Sequence, residues 1–217
     1  GTWGLDNAAL VGIDGLTSIQ SSVSISNILT SCQLSATKDF MILQGSSQAN
    51  VYGMVYDQST QTFGSITLIR TATATAVSVY PISSTAVLVV STNNTTALEA
   101  VVCSVSGTTI TVNTAATATL AGNIGYFGYE MTYMNSSYVL AYNRATSTLG
   151  IRAFTVSGTT VTIGSETTVT GTDNYSKIHD LGSGVGLLLV VSSAGTTLYA
   201  HPISVSGTTV TAGTSAS

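Results

Sequence analysis

The feature that most constrains this chain is a hairpin sequence that returns at nearly equal intervals. The pentapeptide VSGTT begins at Val105, Val156 and Val205, and a short run of alternating β-branched residues follows each copy. Glycine accepts the positive φ of a tight turn, so Ser-Gly between two alternating runs predicts a β-hairpin. A repeat of about 20 to 50 residues determines a whole architecture, because each unit must pack on its own copies.

The repeat extends upstream of the hairpin. An apolar strand precedes each hairpin, and a short strand that ends in a small polar turn precedes the apolar strand. The apolar strands are residues 41–43, 86–90, 138–142 and 186–190, of which the first is the most diverged. In that first copy, residues 56–62 replace the Ser-Gly turn. We therefore predict four units of four short strands, with approximate spans 31–76, 77–124, 125–171 and 172–217.

A period near 48 residues, with four strands per unit and no helical periodicity, is typical of a β-propeller blade. We predict an all-β fold, a β-propeller of four four-stranded antiparallel blades, with five blades as the alternative. A solenoid needs shorter rungs, and a sandwich does not explain equal spacing of one hairpin. Residues 1–30 form a leader with one or two strands that either completes the ring or docks to a neighbouring subunit.

The charge content excludes several functions. The 217 residues include 5 Lys and Arg against 9 Asp and Glu, so 6% are charged, where soluble domains carry about 25%. An acidic chain without a basic cluster is not expected to bind nucleic acid. Its longest apolar run, 187–191, is far below the roughly 18 residues of a membrane span, so we predict no membrane insertion. Ser and Thr must therefore supply the polar groups of the surface. Sheet edges with so little charge need to be covered by ring closure, by neighbouring subunits or by sugar.

Catalysis has few candidate residues, and we predict that the chain is not an enzyme. Its carboxylates form no close pair of the kind that acid/base hydrolysis needs. They are Asp6, Asp14, Asp39, Asp57, Glu99, Glu130, Glu166, Asp173 and Asp180. His179 precedes Asp180, but no nucleophile motif accompanies the pair. His201 lies on a different strand.

We also predict no metal site and no cofactor. Cys32 and Cys103 belong to different units and lack a CxxC or HxxxH partner, so both are expected to be buried thiols. A disulfide needs Cα atoms within about 7 Å, which separate blades seldom offer. The glycines of 182–186 do not open a helix, so they predict a tight turn and not a phosphate loop.

Aromatic residues are the best candidates for recognition. Tyr126, Tyr129 and Tyr133 lie in one stretch, and tyrosine offers a flat apolar ring with a polar tip for stacking on sugars or protein. The alternative is that these rings fill the core between blades. Tyr80, Tyr133 and His179, at near-equivalent inner strands, are predicted to line one mouth of a central channel. The candidate ligand-binding residues are Tyr80, Tyr133, His179, Tyr126 and Tyr129.

Residues 198–214 (LYAHPISVSGTTVTAGT) and 151–165 (IRAFTVSGTTVTIGS) resemble the degenerate propeller repeats of bacteriophage virion proteins. Such repeats occur in tail-fibre, knob and head-decoration proteins. The resemblance covers 80–217 well and 31–79 loosely. It implies a non-enzymatic structural or surface-attachment component on the virion surface, whose partners are other virion proteins, copies of itself or cell-surface glycans. The alternative function is a secreted carbohydrate-binding lectin or adhesin of the repeat-propeller type.

Overall fold

A computed structural model describes residues 25–45, 50–71, 74–93, 97–120, 131–144, 148–170, 173–192 and 197–216. These residues form 19 β-strands in four antiparallel sheets. Tyr126, Tyr129 and most of the leader, residues 1–24, lie outside the described residues, so the predictions made for them remain predictions. Within the described ranges, no helix is long and apolar enough to span a membrane.

We call the four sheets blades 1 to 4, and the first of them begins at Ile25, within the segment 1–30 that was predicted as a leader. Blade 1 consists of β1 (Ile25–Ser35), β2 (Lys38–Gly45), β3 (Asn50–Asp57), β4 (Thr62–Phe63) and β5 (Thr67–Thr71). Blade 2 consists of β6 (Ala74–Ser83), β7 (Ala86–Asn93), β8 (Ala97–Ser106), β9 (Thr109–Val112) and β10 (Ala116–Thr119). Blade 3 consists of β11 (Met131–Met134), β12 (Ser137–Arg144), β13 (Thr148–Ser157), β14 (Thr160–Ile163) and β15 (Thr167–Thr170). Blade 4 consists of β16 (Asp173–Gly182), β17 (Val185–Ser192), β18 (Leu198–Ser206) and β19 (Thr209–Ala212).

The outermost strand of each blade is broken into two pieces that pair with the same neighbour. In blade 3, β14 and β15 both pair with β13, and in blade 2, β9 and β10 both pair with β8. In blade 4 the second piece is represented by the single bridge between Ala200 and Ala216. Each blade is therefore four strands wide, which confirms the predicted four-stranded antiparallel unit.

The repeated hairpins have the backbone that their sequence requires. Gly107, Gly158 and Gly207 have φ values of 61°, 60° and 56°, a left-handed conformation that costs glycine little. In blade 1 the longer turn between β3 and β4 places Gln61 at φ 55° instead. The VSGTT repeat therefore marks the same corner of blades 2, 3 and 4.

Side chains alternate between the two faces of each blade, and both faces are apolar. We call the face that contacts the next blade the forward face, and the opposite face the rear face. The second strands β2, β7, β12 and β17 are each eight residues long, so their positions correspond one to one. The third residue of each, Phe40, Leu88, Val139 and Leu187, belongs to the forward face.

Three apolar clusters join consecutive blades. We call the contacts of blades 1 and 2, 2 and 3, and 3 and 4 the first, second and third seams. The first seam packs Phe40 and Ile42 against Val87 and Val89, and the other two seams repeat this pattern. A fourth cluster, around Leu43, Tyr52 and Met54, lies within blade 1 alone on its rear face. Among the described residues, none of these clusters joins blade 4 to blade 1.

Candidate functional site at the second seam

Three tyrosines meet at the inner-strand end of the second seam. Tyr133 on β11 pairs across the hairpin with Tyr138 on β12, and their ring centroids are 4.9 Å apart. Tyr80 on β6 reaches them from the forward face of blade 2, with centroid distances of 6.5 Å to Tyr133 and 5.3 Å to Tyr138. We call Tyr80, Tyr133 and Tyr138 the tyrosine cluster.

The cluster has one buried and one exposed member. Tyr138 is 6% exposed, whereas Tyr133 is 45% exposed. Burial raises the pKa of Tyr138, and the nearby Tyr133 and Tyr80 raise it further, so its hydroxyl stays protonated at neutral pH. The cluster therefore presents an open aromatic ring held by two others, and such a surface can stack on a sugar or on an apolar side chain of a partner.

The structure brings together two of the candidate ligand-binding residues, Tyr80 and Tyr133. His179 occupies the position in blade 4 that corresponds to Tyr80 in blade 2, since each pairs with the third residue of the following strand. It is exposed on the forward face of blade 4, apart from the tyrosine cluster. Tyr138 was missing from the sequence-based set, although the hairpin turn before it places it opposite Tyr133.

The second seam also contains a buried network of charged and hydroxyl groups, separate from the tyrosine cluster. Arg152 donates from Nε to the hydroxyl of Tyr142 (2.9 Å), from Nη1 to the carbonyl of Gly164 (2.8 Å) and from Nη2 to the carbonyl of Thr119 in blade 2 (3.0 Å). The Tyr142 hydroxyl donates to Glu166, whose carboxylate lies 3.9 Å from Arg152. Burial, then the hydrogen bond to Glu166, raises the pKa of Tyr142. One bond of this network, from Arg152 to Thr119, joins blade 3 to blade 2, and the others lie within blade 3.

Tyr142 reaches this position because its cross-strand neighbour has no side chain. Gly150 pairs directly with Tyr142, and a Cβ at Gly150 would lie 2.5 Å from Cε2 of the ring. The sequence analysis did not predict that Tyr142 is partnered by Arg152 and Glu166. The strand β13 carries a single Arg among apolar residues, and its Gly150 pairs with Tyr142 on β12. This pattern is the sequence signal from which the network could have been predicted.

The outer end of the second seam opens into a groove. The same backbone hydrogen bond follows the hairpin in every blade. It runs from the amides of Gly64, Asn113, Gly164 and Gly213 to the carbonyls of Val55, Val102, Ala153 and Pro202. Asn113 is thus the one non-glycine residue at this repeat position.

Glycine permits a very close approach of the next blade at the other two seams. A Cβ at Gly64 would overlap the carbonyl oxygen of Thr108, and a Cβ at Gly164 would overlap that of Thr208. At the second seam, Asn113 occupies this space and turns its amide back to the Val102 carbonyl (2.9 Å). A groove of about 560 Å³ lies there, between residues 112–116 and 159–161.

Polar side chains also form hydrogen bonds across the other two seams. In the first seam, Arg70 Nη1 donates to the hydroxyl of Ser91 (2.7 Å), and Arg70 Nε lies 3.7 Å from Glu99. In the third seam, His201 Nε2 lies 3.0 Å from the carbonyl oxygen of Thr170. Arg70, Arg152 and His201 are all less than 10% exposed. These three buried side chains therefore form polar contacts that hold blades together.

The described residues contain no group of three or more His, Cys, Asp or Glu side chains that could hold a metal ion. Cys32 and Cys103 are free thiols, and both contribute to the first seam. Burial raises the pKa of each thiol to about 12, which keeps them protonated and unreactive at neutral pH.

Comparison with solved structures supports the fold. The chain is similar to the WD40 domain of SCAP from fission yeast, with a TM-score of 0.51 and 9% sequence identity. The match covers 88% of this chain and 44% of the other, so this chain spans less than half the length of that structure. No protein-family model and no curated protein sequence matches the chain. At this identity the comparison shows a propeller fold and nothing about function, and the predicted four-blade all-β propeller is confirmed.

Proposed function

We propose that this chain is a non-enzymatic structural or surface-attachment component of a virus particle, of the decoration, knob or fibre type. The observation that carries the proposal is the use of the buried charged groups in the seams. Arg70 and Arg152 each donate a hydrogen bond across a seam, and Glu166 lies beside Arg152 within blade 3. A chain that uses its few charges for cohesion is suited to a rigid particle component.

Two further observations support this proposal. The surface is supplied mainly by Ser and Thr, since 6% of the residues are charged, which suits close packing against neighbouring proteins without charge repulsion. The repeats around the VSGTT hairpins resemble those of phage virion proteins, and in such proteins the propeller presents a surface to capsid, tail or host. Localisation on the virion surface follows from this proposal.

The test is to ask whether the chain belongs to a particle. Antibodies against the recombinant chain are applied to purified particles from the source culture, and peptides of the chain are quantified by mass spectrometry. We expect regular labelling of intact particles and a copy number that matches a symmetric component. Recovery of the chain only in the particle-free supernatant contradicts the proposal and favours a secreted protein.

The tyrosine cluster favours carbohydrate binding as a second candidate function. Tyr133 exposes its ring while Tyr80 and Tyr138 hold it in place, and aromatic rings in fixed positions stack on sugar rings. On a glycan array, the Tyr133→Ala variant should lose binding that the unaltered chain shows. Tyr56, which packs on Phe63 in blade 1 at 4.6 Å, supplies the control Tyr56→Ala, which should retain binding. Equal binding by both variants contradicts this function.

A further inference from the structure

The rear face of blade 1 and the forward face of blade 4 take part in none of the three seams, yet only the second is open at its centre. Leu187 and Leu189, in the middle of β17 on the forward face of blade 4, are partly exposed. On the rear face of blade 1, Leu43 and Met54 are each 4% exposed and Tyr52 is 9% exposed. The centre of this rear face is therefore as buried as a seam, although none of the described seams includes it.

The described side chains of blade 1 do not supply this cover. The other members of the cluster around Leu43, Tyr52 and Met54 also belong to blade 1, and they are Ile25, Met41, Phe63 and Ile66. Side chains on one face of a sheet stand roughly perpendicular to the sheet and touch at their sides, so they leave one another's outer ends open. The groups that bury these ends therefore belong to residues outside the described ranges.

The cover is narrower than a blade. On the same rear face, Ile28 on the inner strand β1 is 67% exposed and Leu68 on the outer strand β5 is 45% exposed. In the second seam, by contrast, blade 2 buries Met131 on the inner strand and Val161 on the outer strand of blade 3, to 6% and 7% exposed. The cover on blade 1 thus spans β2 and β3 only, a width of about 10 Å.

The chain offers one segment that can reach this face. Apart from residues 1–24 and 121–130, the internal segments outside the described ranges are at most four residues long. Residues 121–130 join blade 2 to blade 3, so they begin and end at the second seam. Residues 1–24 run directly into β1 of blade 1, and a chain of this length can extend to about 80 Å. It is long enough to turn back and cross the blade.

The sequence of this segment suits an apolar face. Residues 8–13 (AALVGI) contain five apolar residues out of six, and Asp6 and Asp14 lie on either side of them. Six extended residues are about 20 Å long, which is comparable with the eight-residue strand β2. One or two extended strands, as the sequence predicts for the leader, have the width of the buried strip.

We propose that residues 1–24 pack on the rear face of blade 1 of the same copy and cover Leu43, Tyr52 and Met54. The segment takes the position that the preceding blade has in each of the three seams. The leader is thereby assigned to its own first blade and not to a neighbouring subunit. This inference is independent of the proposed function, because it rests on burial, on the width of the cover and on the length of the chain.

The first test identifies the group that contacts Met54 in the full chain. The chain is produced with photo-methionine, in which a diazirine replaces the thioether and forms a bond on irradiation to a group in contact. Met54 lies on the rear face of blade 1, whereas Met131 and Met134 pack in the second and third seams. Mass spectrometry of the digested chain should find Met54 joined to a peptide from residues 1–24. Met131 joined to blade 2 and Met134 joined to blade 4 are the internal controls.

The same experiment can overturn the proposal in two ways. Met54 joined to blade 4, to another protein or to nothing, while Met131 gives its expected product, contradicts the assignment of the cover to residues 1–24. A mixture of isotopically light and heavy copies then shows which copy supplies the segment. The joined peptides should carry the same label, and pairs of mixed label would mean that the segment comes from a neighbouring copy.

The second test measures the cover by the reactivity of a thiol beneath it. In the full chain, Met54→Cys should react with a thiol reagent about 100-fold more slowly than Ile28→Cys, because a covered thiol reacts only after local opening. Ile28 is the matched control, since it is exposed on the same face. Burial raises the pKa of Cys32 and Cys103 to about 12, so the introduced thiol dominates the signal at neutral pH. Equal rates overturn the proposal.

A change within the leader then shows whether it is the cover. Leu10→Glu combined with Val11→Glu places one carboxylate on each face of an extended segment, so either face that meets the sheet carries a charge. In the Met54→Cys chain this pair should raise the labelling rate about tenfold or more, because a buried carboxylate is costly. Thr17→Glu combined with Ser18→Glu adds the same charge at polar positions and should leave the rate unchanged. Circular dichroism checks that the blades stay folded. Protection that survives the first pair overturns the proposal.

Discussion

The first and second seams join the same two kinds of face but are filled differently. The first is aliphatic through most of its depth, and its cation Arg70 bonds to the hydroxyl of Ser91. In the second seam, Arg152 makes three hydrogen bonds and Tyr142 a fourth, to Glu166.

This difference between the two seams depends on one pair of residues that lie opposite each other on the second and third strands of the blade. The first seam has Ser91 opposite Glu99, and the second has Tyr142 opposite Gly150. The contact between two blades can therefore be filled either by small aliphatic side chains or by a network of large polar side chains whose hydrogen bonds are made. The second seam, which departs most from the repeat, also holds the tyrosine cluster and the groove, so irregularity in the repeat coincides with the candidate site.

The largest expected effect comes from removing the cation of the second seam. Arg152→Met removes the cation beside Glu166 and the donor to two carbonyls, and we expect the free energy of unfolding to fall by about 3 to 5 kcal/mol. Arg70→Met, in the first seam, breaks fewer bonds and should cost about 1 to 2 kcal/mol. Urea denaturation measures both. Equal losses would contradict the difference drawn between the seams.

The next effect comes from exchanging the groove residue with its glycine counterparts. Gly64→Asn forces a side chain against the Thr108 carbonyl, and we expect a loss of about 2 to 3 kcal/mol from overpacking. The reverse change, Asn113→Gly, removes hydrogen bonds to Val102 and Ser104 and should cost about 1 kcal/mol. Thermal unfolding of both variants checks this order. Gly64→Asn as mild as Asn113→Gly would show that the first seam can open without cost.

The sequence predicts the strands well because their signals are local. The VSGTT turns and the eight-residue apolar strands such as β7 (Ala86–Asn93) follow from glycine at a turn and from β-branched alternation. The four blades and their order follow from the period. These features depend only on neighbours along the chain.

The contacts within each seam could not be predicted in the same way. The partners of Arg152 come from three separate segments, at Thr119, Tyr142 and Gly164. Whether Tyr80 faces Tyr133 or the preceding blade depends on which face of the strand points forward. A shift of one residue in register reverses that assignment, so only the packed blades determine it.

Alkaline pH should weaken the first seam before the second. The pKa of both Cys32 and Cys103 is raised from 9.0 to about 12 by burial, so the unfolded chain loses thiol protons above about pH 9 while the folded chain keeps them. Stability that is complete below pH 9 is therefore lost as the pH rises. The buried Tyr142 acts in the same direction, but from the higher ordinary pKa of tyrosine, about 10.

Urea denaturation under reducing conditions at pH 7, 9 and 10 measures this dependence. We expect Cys103 to account for about 1 kcal/mol of the loss at pH 10. Cys103→Ala should therefore be less stable at pH 7 but show a shallower fall toward pH 10. A variant with the same slope as the unaltered chain would contradict the assignment of alkaline sensitivity to the first seam.

The smallest expected effect is that of Tyr133→Ala. It tests whether the Tyr133 ring is needed for packing at the second seam or is available for recognition. Truncating a fully buried aromatic ring costs about 3 to 5 kcal/mol, because a cavity remains. Tyr133 is 45% exposed, so Tyr133→Ala should cost about 1 kcal/mol or less, mostly from the lost ring contacts with Tyr80 and Tyr138. A loss near 3 kcal/mol would mean that the ring is structural. A small loss of unfolding free energy would mean that the exposed ring is not needed for stability. A residue used for recognition is expected to behave in this way.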